Sequence, residues 1–471
     1  MTDVIKDTVG LFGGAVALAG SGVTVRDDAA LRSAATDRLA WRAVFGSSEE
    51  QEAARWLLWE LGQSSGARPA SINDLYMARG RGECSGFTVP AINVRAMAYD
   101  TARAVFRAAE KGKVGALILE IARSEIAYTE QRPAEYVAVM LAAALREGYT
   151  LPLFIQGDHC QVNQKKYQAD PEAEVGEVKK LIAEEVGAGF YNVDVDTSTL
   201  VDLSKTSLTE QQRLNYERAA EITRFIRDRE PQGVTISVGA EIGEVGGHNS
   251  TVEELHAFME GYNAAVAAGR GGDGISKISV QTGTSHGGVV LPDGSIAEVK
   301  LDLDALAALS REARTKYGLA GAVQHGASTL PADAFGNFPR IETCEIHLAT
   351  NFQNIIFDHP KLPEDLRNAI KTWLAANAQG ERKAGDSEEQ FFYKARKKAI
   401  GPFKRELWSL PEGVRAAIAA DLESTFAFLF AQLKVNGTAD LVRRHVKAPL
   451  QHHAALKPAL VTAEDDADAG E

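Results

Sequence analysis

From about residue 86 onward, short runs of apolar and β-branched residues alternate with longer stretches in which apolar positions recur every three to four residues. Short runs of the first kind predict buried strands, and the second spacing predicts helices with one face turned to a core. The strand-like runs cover 88–94, 115–122, 151–159, 190–197, 234–242, 276–283, 321–326 and 344–350, and helical spacing appears at 99–111, 135–147, 172–186, 211–229, 252–268 and 303–317. Eight strand–helix units in one stretch of this length predict an α/β protein, a TIM (β/α)8 barrel over residues 86–356. A doubly wound open sheet is the alternative topology for the same pattern. The seventh connection, 328–343, carries Pro331, Gly336 and Pro339 and leaves little room for a helix.

The flanks read differently. Residues 1–85 form an N-terminal helical extension, in which Ala53, Trp56, Leu57, Trp59 and Leu61 mark one helical face before the turn at 79–82. The apolar stretch 9–25 holds five glycines and lacks a basic flank, so it predicts neither a membrane span nor a signal peptide. Residues 357–460 predict a C-terminal helical region, and 461–471 a disordered acidic tail. The cluster of Lys394, Arg396, Lys397, Lys398, Lys404 and Arg405 reads either as a solvated helix face, the favoured reading, or as a phosphate-binding patch.

Composition narrows the partners. The chain has 471 residues and a formal net charge of −13, which disfavours nucleic acid, whose phosphates call for a basic face. Cys84, Cys160 and Cys344 form no CxxC pair, and this suits a reducing compartment without a disulfide framework. A cytoplasmic protein with no membrane role is expected.

The chemistry gathers at the strand ends. His159, His286 and His325 each fall at or just after the C-terminal end of a predicted strand, and in a parallel barrel those ends share one mouth. Three imidazoles there could hold one divalent ion and leave a coordination position for substrate. Asp158 precedes the first of them and is the candidate for moving a proton, with the strand pleat expected to turn the two side chains apart. Glu241 and Asp196 end the fifth and fourth strands, each as a further metal ligand, an orienting partner or a rim salt bridge. The small residues of 283–288 and 325–328 would let backbone N–H groups approach an anion, with Ser328 adding a hydroxyl.

These pieces together, VPAINV at 89–94, GDH at 157–159, AEIGEVGG at 240–247, GTSHGG at 283–288 and QHGAS at 324–328, resemble the class II, metal-dependent ketose-bisphosphate aldolases over residues 85–356. The resemblance implies catalytic zinc, or another divalent metal, on His159, His286 and His325 with Glu241 nearby. It implies proton transfer by Asp158, and contacts to a sugar-phosphate substrate by Asn93, Gly287, Gly326, Ser328, His347 and Thr350. It further implies a lyase of carbohydrate metabolism, as in glycolysis, acting as a homo-oligomer, a dimer or a tetramer. Where the family usually has an asparagine and an aspartate on the eighth strand, this chain has His347 and Ala349, and the family's acidic loop reads HNST at 248–251. A non-catalytic barrel subunit, which the segments 157–168 and 188–198 also resemble, and a metal-dependent sugar-phosphate isomerase or epimerase are the other readings.

Overall fold

The computed structural model describes residues 2–20, 22–243, 248–269, 272–283, 291 and 301–453. The strands are β1 Val89–Asn93, β2 Ile118–Ala122, β3 Leu153–Gln161, β4 Asn192–Asp196, β5 Ser237–Glu241, β6 Lys277–Val280, β7 Ala322–Gln324 and β8 Glu345–Leu348. Each pairs in parallel with the next, and β8 pairs with β1 through Ile346 beside Pro90 and His347 beside Ala91. The sheet therefore closes on itself as an eight-stranded barrel, and the open doubly wound alternative is excluded.

Helices follow the expected spacing because their ends carry the right residues. Thr251 and Glu254 form a reciprocal capping box that starts Val252–Ala268. Pro133 opens Pro133–Glu147, and Gly148, at φ 76°, ends it in the left-handed region. The seventh connection holds only single turns, the 3-10 helix Ala332–Ala334 and the one-turn helix Asn337–Arg340, as its prolines dictate.

The apolar outer faces of the strands, such as Ile92, Leu119, Ile155 and Val193, are buried in one continuous core. The inward-facing row is polar. Lys277 on β6 is fully buried, and its Nζ donates to Gln156 Oε1 on β3 at 2.8 Å and lies 2.9 Å from Asp194 Oδ1 on β4. It also bonds Glu345 on β8, whose other oxygen accepts from the Tyr76 hydroxyl. These links cross the barrel between strands that are not neighbours, so they fill its interior. Gly239 makes room for them: a Cβ there would lie 2.3 Å from Asp194 Oδ1.

The N-terminal extension holds Ala34–Phe45 and Ser48–Ser65 as helices, but it is not all helical. Val16–Ala19 and Gly22–Val25 pair as an antiparallel hairpin, and Pro69–Ala70 adds beside β3. Gly13, Gly14 and Gly20 all have positive φ, which explains why the apolar 9–25 stretch turns back on itself. No helix among the described residues is long and apolar enough to cross a membrane. The C-terminal region is helical as expected, and Glu412–Gln432 is tied to the barrel helix Ala98–Gly112 by Glu423, which takes Arg107 at 2.6 Å and Lys111 at 2.5 Å. The basic cluster is neither a bare solvated face nor a phosphate patch. Its members are largely consumed internally: Lys394 by Asp386 at 2.6 Å, Arg396 by Asp358 at 2.7 Å, Lys398 by Glu381 at 3.4 Å, and Lys404 by Glu135. The acidic tail expected at 461–471 lies outside the described residues.

Candidate metal centre at the barrel mouth

His159 and Asp158 occupy the end of β3, but the simple alternation expected of them fails. The pairing of β3 with β4 shifts register between Gly157 and Cys160, and His159 has φ 41°. That bulge swings His159 back toward the mouth, so His159 Nε2 lies 3.8 Å from Asp158 Oδ1. Both side chains thus serve one site.

His159 Nδ1 lies 3.0 Å from Asp196 Oδ2 and 3.6 Å from Glu241 Oε2. The rings of His159 and His325 lie 4.3 Å apart between centroids, and His325 Nε2 is 3.0 Å from Ser279 Oγ. The ligand atoms of His159, Glu241 and His325 all fall within 4.8 Å of one another. Glu241 Oε1 is buried without a hydrogen-bond partner, a carboxylate oxygen left for a cation to satisfy. Two imidazoles and a carboxylate suit zinc or a similar divalent ion, so these residues fit a metal. Asp196 has a different position. Its Oδ1 accepts from Ser198 N–H at 3.0 Å and the Ser198 hydroxyl at 2.7 Å, and its Oδ2 accepts from Gln161 at 2.6 Å, so it braces His159 from behind. His286 and Gly287 lie outside the described residues.

Asp158 is held on both oxygens. Asn93 Nδ2 donates to Oδ2 at 3.0 Å, and His347 Nδ1 lies 3.1 Å from Oδ1. Burial opposes its charge, but the His159 and His347 rings outweigh burial and hold its carboxyl well below the usual range. For His159, burial again works against the charged form, and the carboxylates of Asp158, Asp196 and Glu241 raise it to about 10. Burial and the neighbouring Asp196 charge push Glu241 well up.

His347, expected among the substrate contacts, faces inward in this arrangement. Its Nε2 lies 2.8 Å from Glu345 Oε1 and its Nδ1 lies 3.0 Å from Glu120 Oε1, with Asp158 alongside. Residues 345 and 347 are two apart on one strand and so share the interior face, where carboxylates surround the ring. Gly326, at φ 67°, turns the chain after β7, and Ser328 Oγ accepts from Ala349 N–H at 2.6 Å. Thr350 opens the helix Thr350–Asp358 beside them. Sequence reading missed Glu120, Asp194, Lys277 and Glu345. The available signal was an ionisable residue inside an otherwise apolar strand, as in ILEIA and KISV.

Glu185 shows why Gly157 begins the GDH segment. A Cβ at 157 would lie 2.5 Å from Glu185 Oε2, and that oxygen faces Cys160 Sγ at 3.3 Å. Burial raises the Glu185 carboxyl to about 8. A carboxyl that ionises near pH 4 when unfolded and near 8 when folded adds stability at low pH and loses it as pH rises through that window. Glu185→Gln removes this loss. Its melting temperature should equal wild type near pH 4 and exceed it increasingly up to pH 8. A constant difference across the range would show that Glu185 is ionised in the fold.

The class II fructose-bisphosphate aldolase family model matches residues 81–404, more than half of the chain. The chain belongs to this family. Among solved structures, one from Sinorhizobium meliloti 1021 described as a tagatose 6-phosphate kinase is 17% identical with a TM-score of 0.50, covering 76% of this chain and 93% of its own. A fructose-bisphosphate aldolase from Campylobacter jejuni is 17% identical with a TM-score of 0.47, covering 80% and 95%. A fructuronate-tagaturonate epimerase from Cohnella laeviribosi is 12% identical with a TM-score of 0.49, covering 75% and 82%. At these identities the first likeness speaks for the barrel fold alone. No curated protein sequence matches the chain. Membership of a family that is typically metal-dependent agrees with the donor cluster at the mouth.

Proposed function

We propose that the protein is a zinc-dependent aldolase that reversibly cleaves a phosphorylated ketose, such as fructose or tagatose bisphosphate, into dihydroxyacetone phosphate or a related ketone and an aldehyde. The observation that carries this reading is the convergence of His159, Glu241 and His325 donors within 4.8 Å, with Asp158 beside them. His159, His325 and Glu241 would hold the ion, with His286 as a further ligand. A divalent ion bound there supplies Lewis acidity toward the carbonyl and hydroxyl oxygens of the ketose. Asp196 accepts a hydrogen bond from the Nδ1–H of His159, which leaves Nε2 for coordination.

Asp158 takes the proton from the hydroxyl that becomes the aldehyde oxygen during cleavage and returns it during condensation. Asn93 and His347 fix the carboxylate for that transfer from its two sides. His347 acts here through Asp158, in place of the direct substrate contact that its position in the family suggests. Because Ser328 Oγ already accepts from Ala349 N–H, its own proton is free to donate to a phosphate oxygen. Gly326 and the start of the helix at Thr350 would complete the phosphate cradle, with Gly287 added as the family resemblance implies. The intact proton carrier and donor cluster favour an enzyme over a non-catalytic subunit.

Metal analysis joined to a cleavage assay tests this. The purified protein should carry a stoichiometric divalent ion and release triose phosphate from a ketose bisphosphate. Chelation should remove both, and added zinc should restore both. Cleavage that persists after the ion is gone would overturn the reading, and an epimerised ketose with an intact carbon chain would assign the site to an epimerase.

A further inference from the structure

A cavity of about 530 Å³ lies at the opposite end of the barrel from the metal centre. Its walls come from the ends of the helices Asn73–Gly80 and Leu303–Tyr317 and from residues 340–342, just ahead of β8. Barrel helices run antiparallel to their strands, so these helix ends mark the N-terminal face. Four arginines line it: Arg81, Arg311, Arg314 and Arg340.

The charge there is not balanced. Glu342 is shared, lying 2.8 Å from the buried Arg79 and 3.1 Å from Arg314, and its other oxygen accepts from Gly86 N–H at 3.0 Å. Glu83 takes Arg81 at 2.6 Å. Among the described residues Arg311 and Arg340 form no ion pair, and Arg314 Nε is buried without a hydrogen-bond partner. Counting Arg79, five guanidiniums meet two carboxylates, which leaves three positive charges in a chain whose net charge is −13.

We propose that this cavity binds a small molecule carrying two phosphoryl groups, at a site separate from the barrel mouth. Guanidinium forks match phosphoryl oxygens in pairs, and each phosphoryl carries about −1.5 to −2 charges near neutral pH. Two such groups offset the excess, and the cavity volume falls in the range of small-ligand pockets. Arg81 and Arg314 already have carboxylate partners, whereas Arg311 and Arg340 line the same concavity without one among the described residues, so an anion there would compensate them.

Calorimetric titration of the full chain with inorganic pyrophosphate tests this, with the Arg311→Ala/Arg340→Ala double variant and Ser328→Ala as the two arms. Pyrophosphate should bind the wild type, weaken with added salt, and bind the double variant at least about tenfold more weakly, since two charge-assisted contacts are lost. Ser328→Ala should leave this binding unchanged. Arg311 and Arg340 are exposed, so the double variant should keep the wild-type melting temperature. Equal binding by the double variant, loss of binding in Ser328→Ala, or no binding by the wild type would each overturn the proposal. Cleavage of a ketose bisphosphate by the double variant reports separately on the barrel mouth.

Discussion

Asp158→Asn should lower the rate of ketose-phosphate cleavage by about 10²–10⁴-fold, the usual contribution of a positioned proton carrier. The substitution preserves shape. Asparagine can still accept from His347 through one atom, but an amide cannot take up the substrate's proton, and its NH₂ group would face the Asn93 amide that now donates to Oδ2 at 3.0 Å. The bound ion should remain, because His159, Glu241 and His325 are untouched. A steady-state cleavage assay on protein of verified metal content separates the effects. Wild-type turnover in a metal-replete Asp158→Asn protein would remove Asp158 from the mechanism, whereas loss of the ion would show a structural role instead.

Lys277→Met should destabilise the fold by about 3–5 kcal/mol, the typical cost of removing one partner from a buried ion pair. Lys277 is fully buried, and Asp194 and Glu345 both depend on it for compensation. Its own charge is maintained against burial by those two carboxylates. Methionine fills most of the space but leaves two carboxylates facing each other in the barrel interior. Denaturant unfolding at neutral pH measures the loss, and adding Asp194→Asn and Glu345→Gln to Lys277→Met should recover a large part of it. An unfolding midpoint equal to wild type in the single variant would show that water already reaches this layer.

The eight strands were legible because each is a short apolar run on its outer face, and the hydrophobic period alone reports that burial. The extension at 16–25 was less legible. Its glycine-rich run has no strong period, and the hairpin arises from the positive-φ turns at Gly13, Gly14 and Gly20. At the site, GDH pointed to a strand-end position, yet the pleat argument separated two side chains that the bulge after Gly157 brings together. A bulge is a two-strand event, set by how β3 meets β4, and a single-strand pattern carries no trace of it.

The sequence by itself determined the alternation of strands and helices, the residues at the strand ends and the family, since these depend on local periodicity and on short motifs. Tertiary structure alone decided that the sheet closes, that Asp196 braces His159 while Glu241 joins the donor cluster, and that His347 turns inward to Asp158, Glu120 and Glu345. Those outcomes depend on distances between residues far apart in the chain, which are fixed only when the barrel's register and shear bring their strands side by side.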